Sequence, residues 1–486
     1  MRARSISDAI QAGWPFVNAL HAPFIALAFA LSGCITAPKL QPPQRALAND
    51  SLGLSAQVLA PAPPRMWWNA FSDPQLDHLM QRALDGNPSL AQAIARVREA
   101  QALAEAAHAG LAPSLAFSAQ ETRERFSDHD VIPPPYAGTK RWEGHEGLNL
   151  SWDIDFWGRQ KSLLEQARSR ATAAALDVDS ARLAVSGAVA QAYIDLYRND
   201  QLADVAQRAE AQRERILEIT HQRVRSGLDT EVELREASGA VPEAHVQLLQ
   251  ARAAAALDTH LLAALSGQGA PVYAQVQPPT LDPGAILPLP TALPADLLGH
   301  RPDVLAARDR IEAARAGQSA AKAAFYPDIN LAAFAGTAAV GLDNLFHGSS
   351  GEYGAGPAIH LPLFDAGLLR AQYRGAAAEI DDAVAVYNQS VLRAVRETSD
   401  QLSLIDALNE QIVLQQRSLN DAEAAYQLAE ERFRAGLSSY LTVLNTETAV
   451  LTARREHVDL ISGGAIARIN LLLAVGGSFD PEKSHE

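Results

Sequence analysis

The sequence is poor in cysteine and in recognisable catalytic motifs, and these absences narrow its possible functions. Its 486 residues contain one cysteine, Cys34, so no intramolecular disulfide can form. There are 41 Lys and Arg residues against 56 Asp and Glu residues, which gives a net charge of −15 and no basic runs. This is the wrong electrostatic pattern for nucleic acid.

The sequence also lacks a His-Glu-x-x-His helix, a Gly-Lys-Ser/Thr phosphate loop and a Gly-x-Ser-x-Gly elbow. Asp128-His129-Asp130 could hold a metal, but no further ligand lies nearby in the sequence, and surface charge is the simpler interpretation. We therefore predict a protein that is not an enzyme, with no cofactor, no metal site and no nucleic-acid partner.

No unbroken run of about 20 apolar residues follows Cys34, so we do not expect a membrane-spanning helix. Before it, a weakly basic start and an apolar segment lead into Leu31-Ser32-Gly33-Cys34. This pattern predicts a signal peptide over 1–33 that ends in a lipobox, with Cys34 carrying the lipid. The alternative is a lone buried cysteine. Ile35 follows, where an aspartate generally favours the inner membrane, so its absence favours the outer membrane.

Two very long helices dominate the remaining sequence. The run from Gly158 to Gly227 has no proline and one internal glycine, and the run from Gly367 to Gly436 has the same length and the same properties. Each helix would be about 100 Å long if unbroken, far more than a compact domain needs. We infer an internal duplication.

The duplication organises the predicted boundaries. A proline-rich, extended tether over 34–65 precedes a first repeat over 66–267, and a proline-rich connector over 268–294 leads to a second repeat over 295–477. A polar tail over 478–486 ends the chain. The long helices are predicted over 158–225 and 367–435, and helices that return from them over 229–266 and 438–475. Gly239 and Pro242 interrupt the first return helix, where we expect a kink or break.

Before each long helix the apolar pattern changes to a period of two, which indicates β-hairpins over about 114–156 and 328–364. In the first hairpin, apolar residues from Leu148 to Phe156 alternate with Asn149, Ser151, Asp153 and Asp155. Asp153 and Asp155 resemble a carboxylate pair, but this spacing in a strand more simply gives a polar face. Four strands per chain follow.

Apolar-faced hairpins in an exported chain can cross a bilayer only as a closed barrel, because open sheet edges leave backbone groups unpaired in lipid. Four strands cannot close, whereas barrels need about eight or more. We therefore predict an α+β membrane protein. A homotrimer would form a twelve-stranded β-barrel, continued by a long periplasmic α-helical barrel.

Several motifs resemble the TolC-like outer-membrane efflux family, and most closely its lipoprotein branch, which works with resistance-nodulation-division pumps. These are Trp67-Trp68, Leu297 to Val304, Ala323 to Ile329 and Leu361 to Gly367. The resemblance covers nearly the whole mature chain. It implies a passive outer-membrane duct for drugs or other small molecules, which an inner-membrane pump delivers through a periplasmic adaptor.

The resemblance also assigns roles at the hairpin tips. The matching motif that meets the adaptor comprises Arg223, Gly227 and Leu228 in the first tip and Arg432, Gly436 and Leu437 in the second. Without a partner, these would be ordinary helix turns. Asp229, Glu231 and Glu233 are candidates for a gate, since symmetry would repeat each acid into a ring. A solvated helix face is the alternative.

A function of another class shares many of these features. A lipid-anchored periplasmic coiled-coil adaptor or scaffold would also have the lipobox and the helical hairpins. It would have no reason to place alternating strands beside the long helices. The strand pattern therefore favours the channel.

Overall fold

A computed structural model describes residues 36–47, 52, 54, 63–129, 131–294 and 296–479. The predicted lipidation site, Cys34, lies outside the described residues. The described chain is mostly helical, with a single four-stranded sheet. The predicted α+β class with four strands per chain is confirmed.

The first half of the described chain begins with a 3-10 turn, Trp67–Phe71, and continues with six longer elements. These are α1 (Pro74–Gly86), α2 (Pro88–Ala109), β1 (Ser114–Arg125), β2 (Lys140–Asp153), α3 (Arg159–Arg225) and α4 (Glu231–Leu265). Asp73 caps α1 by accepting a hydrogen bond from the Gln75 amide at 2.9 Å, and Pro74 occupies the first turn, where no amide donor is needed.

The second half repeats the order of a helix, a hairpin, a long helix and a return helix. Its elements are α5 (Pro302–Ala323), β3 (Asp328–Val340), β4 (Gly351–His360), α6 (Leu368–Arg434) and α7 (Tyr440–Ala474). The long helices α3 and α6 both have 67 residues, and the return helices α4 and α7 both have 35. Equal lengths in both halves support the inferred duplication.

The sheet has the order β1-β2-β3-β4, and all neighbours are antiparallel. The central pairing of β2 with β3 joins the two halves, with Leu150 opposite Ala333. The outer edges of the sheet are β1 and β4. Within the described residues of a single chain, each of these strands has a neighbour on one side only.

Three expectations need correction. The first return helix has no break, because α4 is continuous through Gly239 and Pro242. A proline within a helix removes one amide donor, but the remaining turns and the buried face of α4 keep the helix intact. The strand β2 ends at Asp153, before Asp155 and Phe156, and β4 ends at His360, before Leu361 and Leu363.

The chain divides into two compact units. One contains the sheet, within Ala100–Arg170 and Arg310–Ala383, together with the chain up to Gln44. The other comprises Arg45–Glu99, Ala171–Asp309 and Val384–Glu486. The second unit has a core in which Trp67, Phe71 and Met80 are at most 1% exposed and pack in one cluster with Tyr193 of α3. These aromatic side chains anchor the beginning of the first repeat.

Within the part of the chain that the structure describes, one helix is long and apolar enough to cross a membrane by length and composition alone, although the sequence predicted none. This is α7, and 44% of its most apolar window is buried within the protein. The core helix of a soluble protein passes the same test, so the length and composition of α7 are weak evidence for a membrane span.

Candidate functional site

The sheet has one apolar face, and the register shows how all four strands contribute to it. Directly opposed residues point to the same side of a sheet. Phe117 lies opposite Leu148, Leu148 opposite Ala335, and Ala335 opposite Tyr353. The next position on the same face likewise joins Leu115, Leu150, Ala333 and Ala355. Phe117 is 68% exposed and Tyr353 88% exposed, so this is an uncovered apolar band.

The opposite face of the sheet is largely polar and carries Asn149, Ser151 and Asp153 of β2. Asn330 of β3 donates hydrogen bonds to Asp153 and, at 2.9 Å, to the Ser151 hydroxyl. Asp153 therefore belongs to a hydrogen-bonded polar surface. This arrangement agrees with the simpler interpretation of Asp153 and gives no support to a catalytic carboxylate pair.

Asp155 has a structural role that the alternating pattern did not reveal. It accepts hydrogen bonds from the backbone amides of Gln160 at 3.1 Å and Lys161 at 2.8 Å, at the start of α3. Asp365 repeats this at the start of α6, and its bond from the Leu369 amide at 2.7 Å is the main cause that lowers the pKa of this carboxyl. At the start of both long helices, a carboxylate thus accepts hydrogen bonds from backbone amides that have no partner within the helix.

Aromatic side chains gather where the sheet meets these helix starts. Trp157 stacks on Tyr326 with 4.7 Å between ring centroids, and its indole nitrogen donates to the Pro327 carbonyl at 2.9 Å. Phe156 and Phe364 are 65% and 87% exposed. Amphipathic aromatic side chains at one end of an apolar strand band are typical of the boundary between lipid and water.

The two hairpin tips share one backbone motif. Gly227 and Gly436 have φ angles of 72° and 78°, which glycine adopts without strain. The amide of Leu228 donates to the Arg223 carbonyl at 2.9 Å, and the amide of Leu437 donates to the Arg432 carbonyl at 2.8 Å. These bonds close each long helix and reverse the chain.

The side chains of the two tip arginines differ. Arg223 forms a bidentate ion pair with Asp229, at 2.7 and 2.9 Å, and donates to the Phe433 carbonyl at 2.9 Å. The bond to Asp229 is the main cause that raises the pKa of the Arg223 guanidinium, which also lies 4.5 Å from the centre of the Phe433 ring. Arg223 therefore joins the first tip to the second.

Arg432 is exposed and lacks the equivalent acid, because Ser438 stands where the first tip has Asp229. The leucines that follow the tip glycines, Leu228 and Leu437, are 64% and 70% exposed. The second tip thus offers a charged guanidinium to solvent beside an apolar side chain, whereas the first tip offers the apolar side chain with its guanidinium engaged internally.

The three candidate gate acids have different environments. Asp229 is held by Arg223, and its side chain is 9% exposed. Glu233 accepts hydrogen bonds from the backbone and side chain of Thr230, and the side-chain bond is the main cause that lowers its pKa. It completes a capping box at the start of α4. Glu231 is exposed in the first turn of α4.

A buried ion pair, which the sequence analysis missed, joins three helices of the hairpins. Arg213 of α3 donates to the Ala240 carbonyl at 2.8 Å, to Glu243 of α4 at 3.1 Å and to Glu447 of α7 at 3.3 Å. Its side chain is 9% exposed and that of Glu447 is 6% exposed. No signal in the sequence links residues so far apart.

The Glu447 carboxylate is incompletely satisfied. Its Oε1 atom is buried and has no hydrogen-bond partner among the described residues. Glu447 also lines a cavity of about 10 Å³ together with Arg213 and Tyr440. Burial is the main cause that raises the pKa of this carboxyl, against the lowering effect of Arg213. The same burial raises the pKa of Tyr440 to about 12.

The predicted tether includes an ordered segment. The side-chain amide of Asn388 on α6 accepts from the Leu47 amide at 2.8 Å and donates to the Arg45 carbonyl at 3.1 Å. The Gln44 amide donates to Asp381 at 2.8 Å. Residues 36–47 have no regular secondary structure, so these bonds attach an irregular segment of the chain to the long helix.

The candidate metal triplet contains Asp128, which forms an ion pair with Arg125 at 2.9 Å, while Asp130 lies outside the described residues. Across the part of the chain that the structure describes, no group of three or more His, Cys, Asp and Glu side chains is arranged to hold a metal ion.

Comparisons with known proteins connect this architecture to efflux. The family model described as outer membrane efflux protein matches residues 79–268 and 293–477. The toluene efflux pump outer membrane protein TtgF of Pseudomonas putida is 34% identical over 469 residues, which cover 94% of this chain and 96% of that protein.

Solved structures show the same similarity. The outer membrane protein VceC of Vibrio cholerae superimposes with a TM-score of 0.81 at 34% identity, over 86% of this chain and all of that one. The Campylobacter jejuni CmeC outer membrane channel superimposes with a TM-score of 0.83, over 93% of this chain and 97% of that one. Its identity is 22%, so it shows a shared fold alone.

Proposed function

This chain belongs to the outer membrane efflux protein family, and from that premise we propose that three copies form the exit duct of a tripartite efflux system. The duct passively conducts drugs or other small molecules that an inner-membrane pump delivers through a periplasmic adaptor. The chain acts without catalysis and needs no cofactor. The uncovered apolar face of the sheet carries this proposal.

That face supports a barrel because it exposes large apolar side chains on β1, β2 and β4, while the opposite face is largely polar. In lipid, the free edges of β1 and β4 would leave backbone donors and acceptors unpaired at a cost of several kcal/mol each. Pairing β4 of one copy with β1 of the next satisfies both edges. Three copies give twelve strands, and cyclic symmetry closes the barrel.

Lipidation at Cys34 would anchor the chain to the outer membrane. The attachment of Arg45 and Leu47 to Asn388 supports this arrangement, because the chain that follows the lipid is held on α6 at positions 11 and 13 residues after Cys34. The lipid would add to the membrane retention that the barrel provides.

The tips of the hairpins would meet the adaptor. Exposed Leu228 and Leu437 supply apolar contacts at both tips, while Arg432 supplies a free guanidinium at the second tip only. Reversing both tip arginines to glutamate is expected to weaken adaptor docking without loss of the trimer. Because Arg223 is engaged internally, Arg432→Glu should account for the direct effect on docking.

The proposed gate lies at the periplasmic end of the duct. Asp229 and Glu233 are committed to Arg223 and Thr230, so the acid available to a solvent-facing ring is Glu231. Three symmetry-related carboxylates would attract cations and repel one another. Neutralising an acid of this ring should raise the resting conductance.

Single-channel recording in planar bilayers, with the oligomer mass measured on the same sample, tests the channel. We expect SDS-resistant trimers with a small cation-selective conductance that rises when Glu231 is neutralised. Monomers without conductance would instead favour the lipid-anchored adaptor or scaffold and would rule out the closed barrel.

A further inference from the structure

One large aromatic side chain lies on the polar face of the sheet. Phe334 of β3 is opposite Asn149 of β2, so both side chains point away from the apolar band. The neighbouring β3 residues Ala333 and Ala335 point into that band. Phe334 is 45% exposed, and in the proposed barrel this polar side of the sheet lines the lumen. A lipid contact therefore does not account for it.

Phe334 has a prepared position on the neighbouring strand. Its register partner on β4 is Gly354, and a Cβ atom built there would lie 2.7 Å from the Cε1 atom of the Phe334 ring. The ring thus lies against the backbone of β4, and only glycine leaves room for it. The ring remains 45% exposed and is therefore accessible from the polar side of the sheet.

One acid lies near this ring, and four others are spread along the same face of the sheet. Alternation places Glu352 one same-face position beyond Gly354, about 7 Å along β4. The other charged residues with this orientation are, by alternation, Glu124, Arg141, Glu143, Asp153 and Asp328. The face therefore carries five acids against one arginine. Arg123, Arg125 and Lys140 point to the opposite side.

We propose that Phe334, seated on Gly354 beside Glu352, is a contact site for aromatic organic cations in transit through the barrel. The inference rests on the proposed channel and names the class of solute that its wall favours. An aromatic face attracts cations through its quadrupole and stacks with other rings, while the carboxylates add long-range attraction.

Such a site must bind weakly, because conduction requires that a solute also leaves. Threefold symmetry would place three copies of Phe334 at one level of the barrel. Together they would slow an aromatic cation without blocking the passage of other solutes. The expected signature is a brief interruption of ionic current whose frequency depends on solute concentration.

The test measures current block through the full-length trimer in planar bilayers by three probes. Benzyltrimethylammonium is an aromatic cation, tetraethylammonium is an aliphatic cation of similar size, and benzenesulfonate is an aromatic anion. We expect the strongest block by benzyltrimethylammonium. Phe334→Leu, which keeps an apolar side chain but removes the ring, should weaken that block about three- to fivefold.

Phe117→Leu is the matched control, since it makes the same substitution on β1, at nearly the same level of the sheet but on the opposite face. It should leave the block unchanged. Gly354→Ala provides an independent variant, because its methyl group displaces the ring without removing it, and it should also weaken the block. Trimer mass and unblocked conductance report whether each variant has assembled.

Equal block by tetraethylammonium or benzenesulfonate, or an unchanged block in Phe334→Leu, would overturn the proposed contact site while leaving the channel intact. Absence of any wild-type conductance would instead reject the channel itself. An equal loss of block in Phe117→Leu would also reject the site, because the effect would then follow from the sheet in general.

Discussion

The ion pair at the first hairpin tip can be tested by removing its cation. In Arg223→Met the side chain keeps an apolar stem beside Phe433 but leaves Asp229, which is 9% exposed, without its partner. Removing one partner of a buried ion pair costs about 3–5 kcal/mol. Because the tip borders solvent, we expect the tip to lose about 3 kcal/mol of stability, which changes its local opening equilibrium roughly a hundredfold.

Amide hydrogen exchange measures this opening directly. The amides of Gly227 and Leu228, which donate to the Val224 and Arg223 carbonyls, should exchange about a hundredfold faster in the variant. Arg432→Met is the matched control, since Arg432 holds the same place in the second tip but is exposed. It should change exchange at Gly436 and Leu437 by less than about threefold. Similar acceleration in both variants would refute the assigned asymmetry.

Three further predictions concern other parts of the chain. Burial raises the pKa of Glu447 in the folded protein. Protonated Glu447 therefore contributes stability to the packed hairpins at pH values below the ordinary pKa of glutamate. This stability is lost as the pH rises through the folded-state pKa. After correction for intrinsic rates, hydrogen exchange near Arg213 should therefore become faster as the pH rises. Glu447→Gln should reduce this dependence on pH. An unchanged pH profile in the variant would contradict the role of Glu447. Asn388→Ala removes two hydrogen bonds of about 1 kcal/mol each. Trypsin should therefore cleave after Arg45 at least about ten times faster than in the wild type. An unaltered cleavage rate would mean that the tether is held by other contacts. Asp155→Ala removes a cap worth about 1 kcal/mol and should increase exchange in the first turn of α3 about fivefold, with no effect on the exchange of α6.

Much of the fold could be predicted because it depends on local periodicity. Two-residue alternation assigned the apolar side of each hairpin, and the register brings Leu148, Ala335 and Tyr353 together on that side. The family resemblance is confirmed by the matched model over most of the chain. The strand end was misplaced because the alternation continues beyond Asp153, where the Ile154 amide still donates to the Ile329 carbonyl at 2.9 Å.

The side-chain partners could not be predicted in the same way. Arg223 and Arg432 stand in nearly identical local sequences, and their difference depends on Asp229 and on the distant Phe433. The contact between Arg213 and Glu447 joins positions more than two hundred residues apart and requires the packing of three helices. Pattern reasoning finds elements and faces, whereas such pairs become visible only when the elements are packed.

The difference between the two tip arginines affects how the proposed trimer would contact a partner at its hairpin tips. Two hairpins per chain give six tips around a threefold axis, and these tips alternate between an internally neutralised guanidinium and a free one. A partner ring of six identical subunits would meet two different surfaces and would have to adopt two binding poses. A ring of three could choose the charged tips alone. The duplicated chain would thereby impose a symmetry mismatch on any partner ring of six identical subunits.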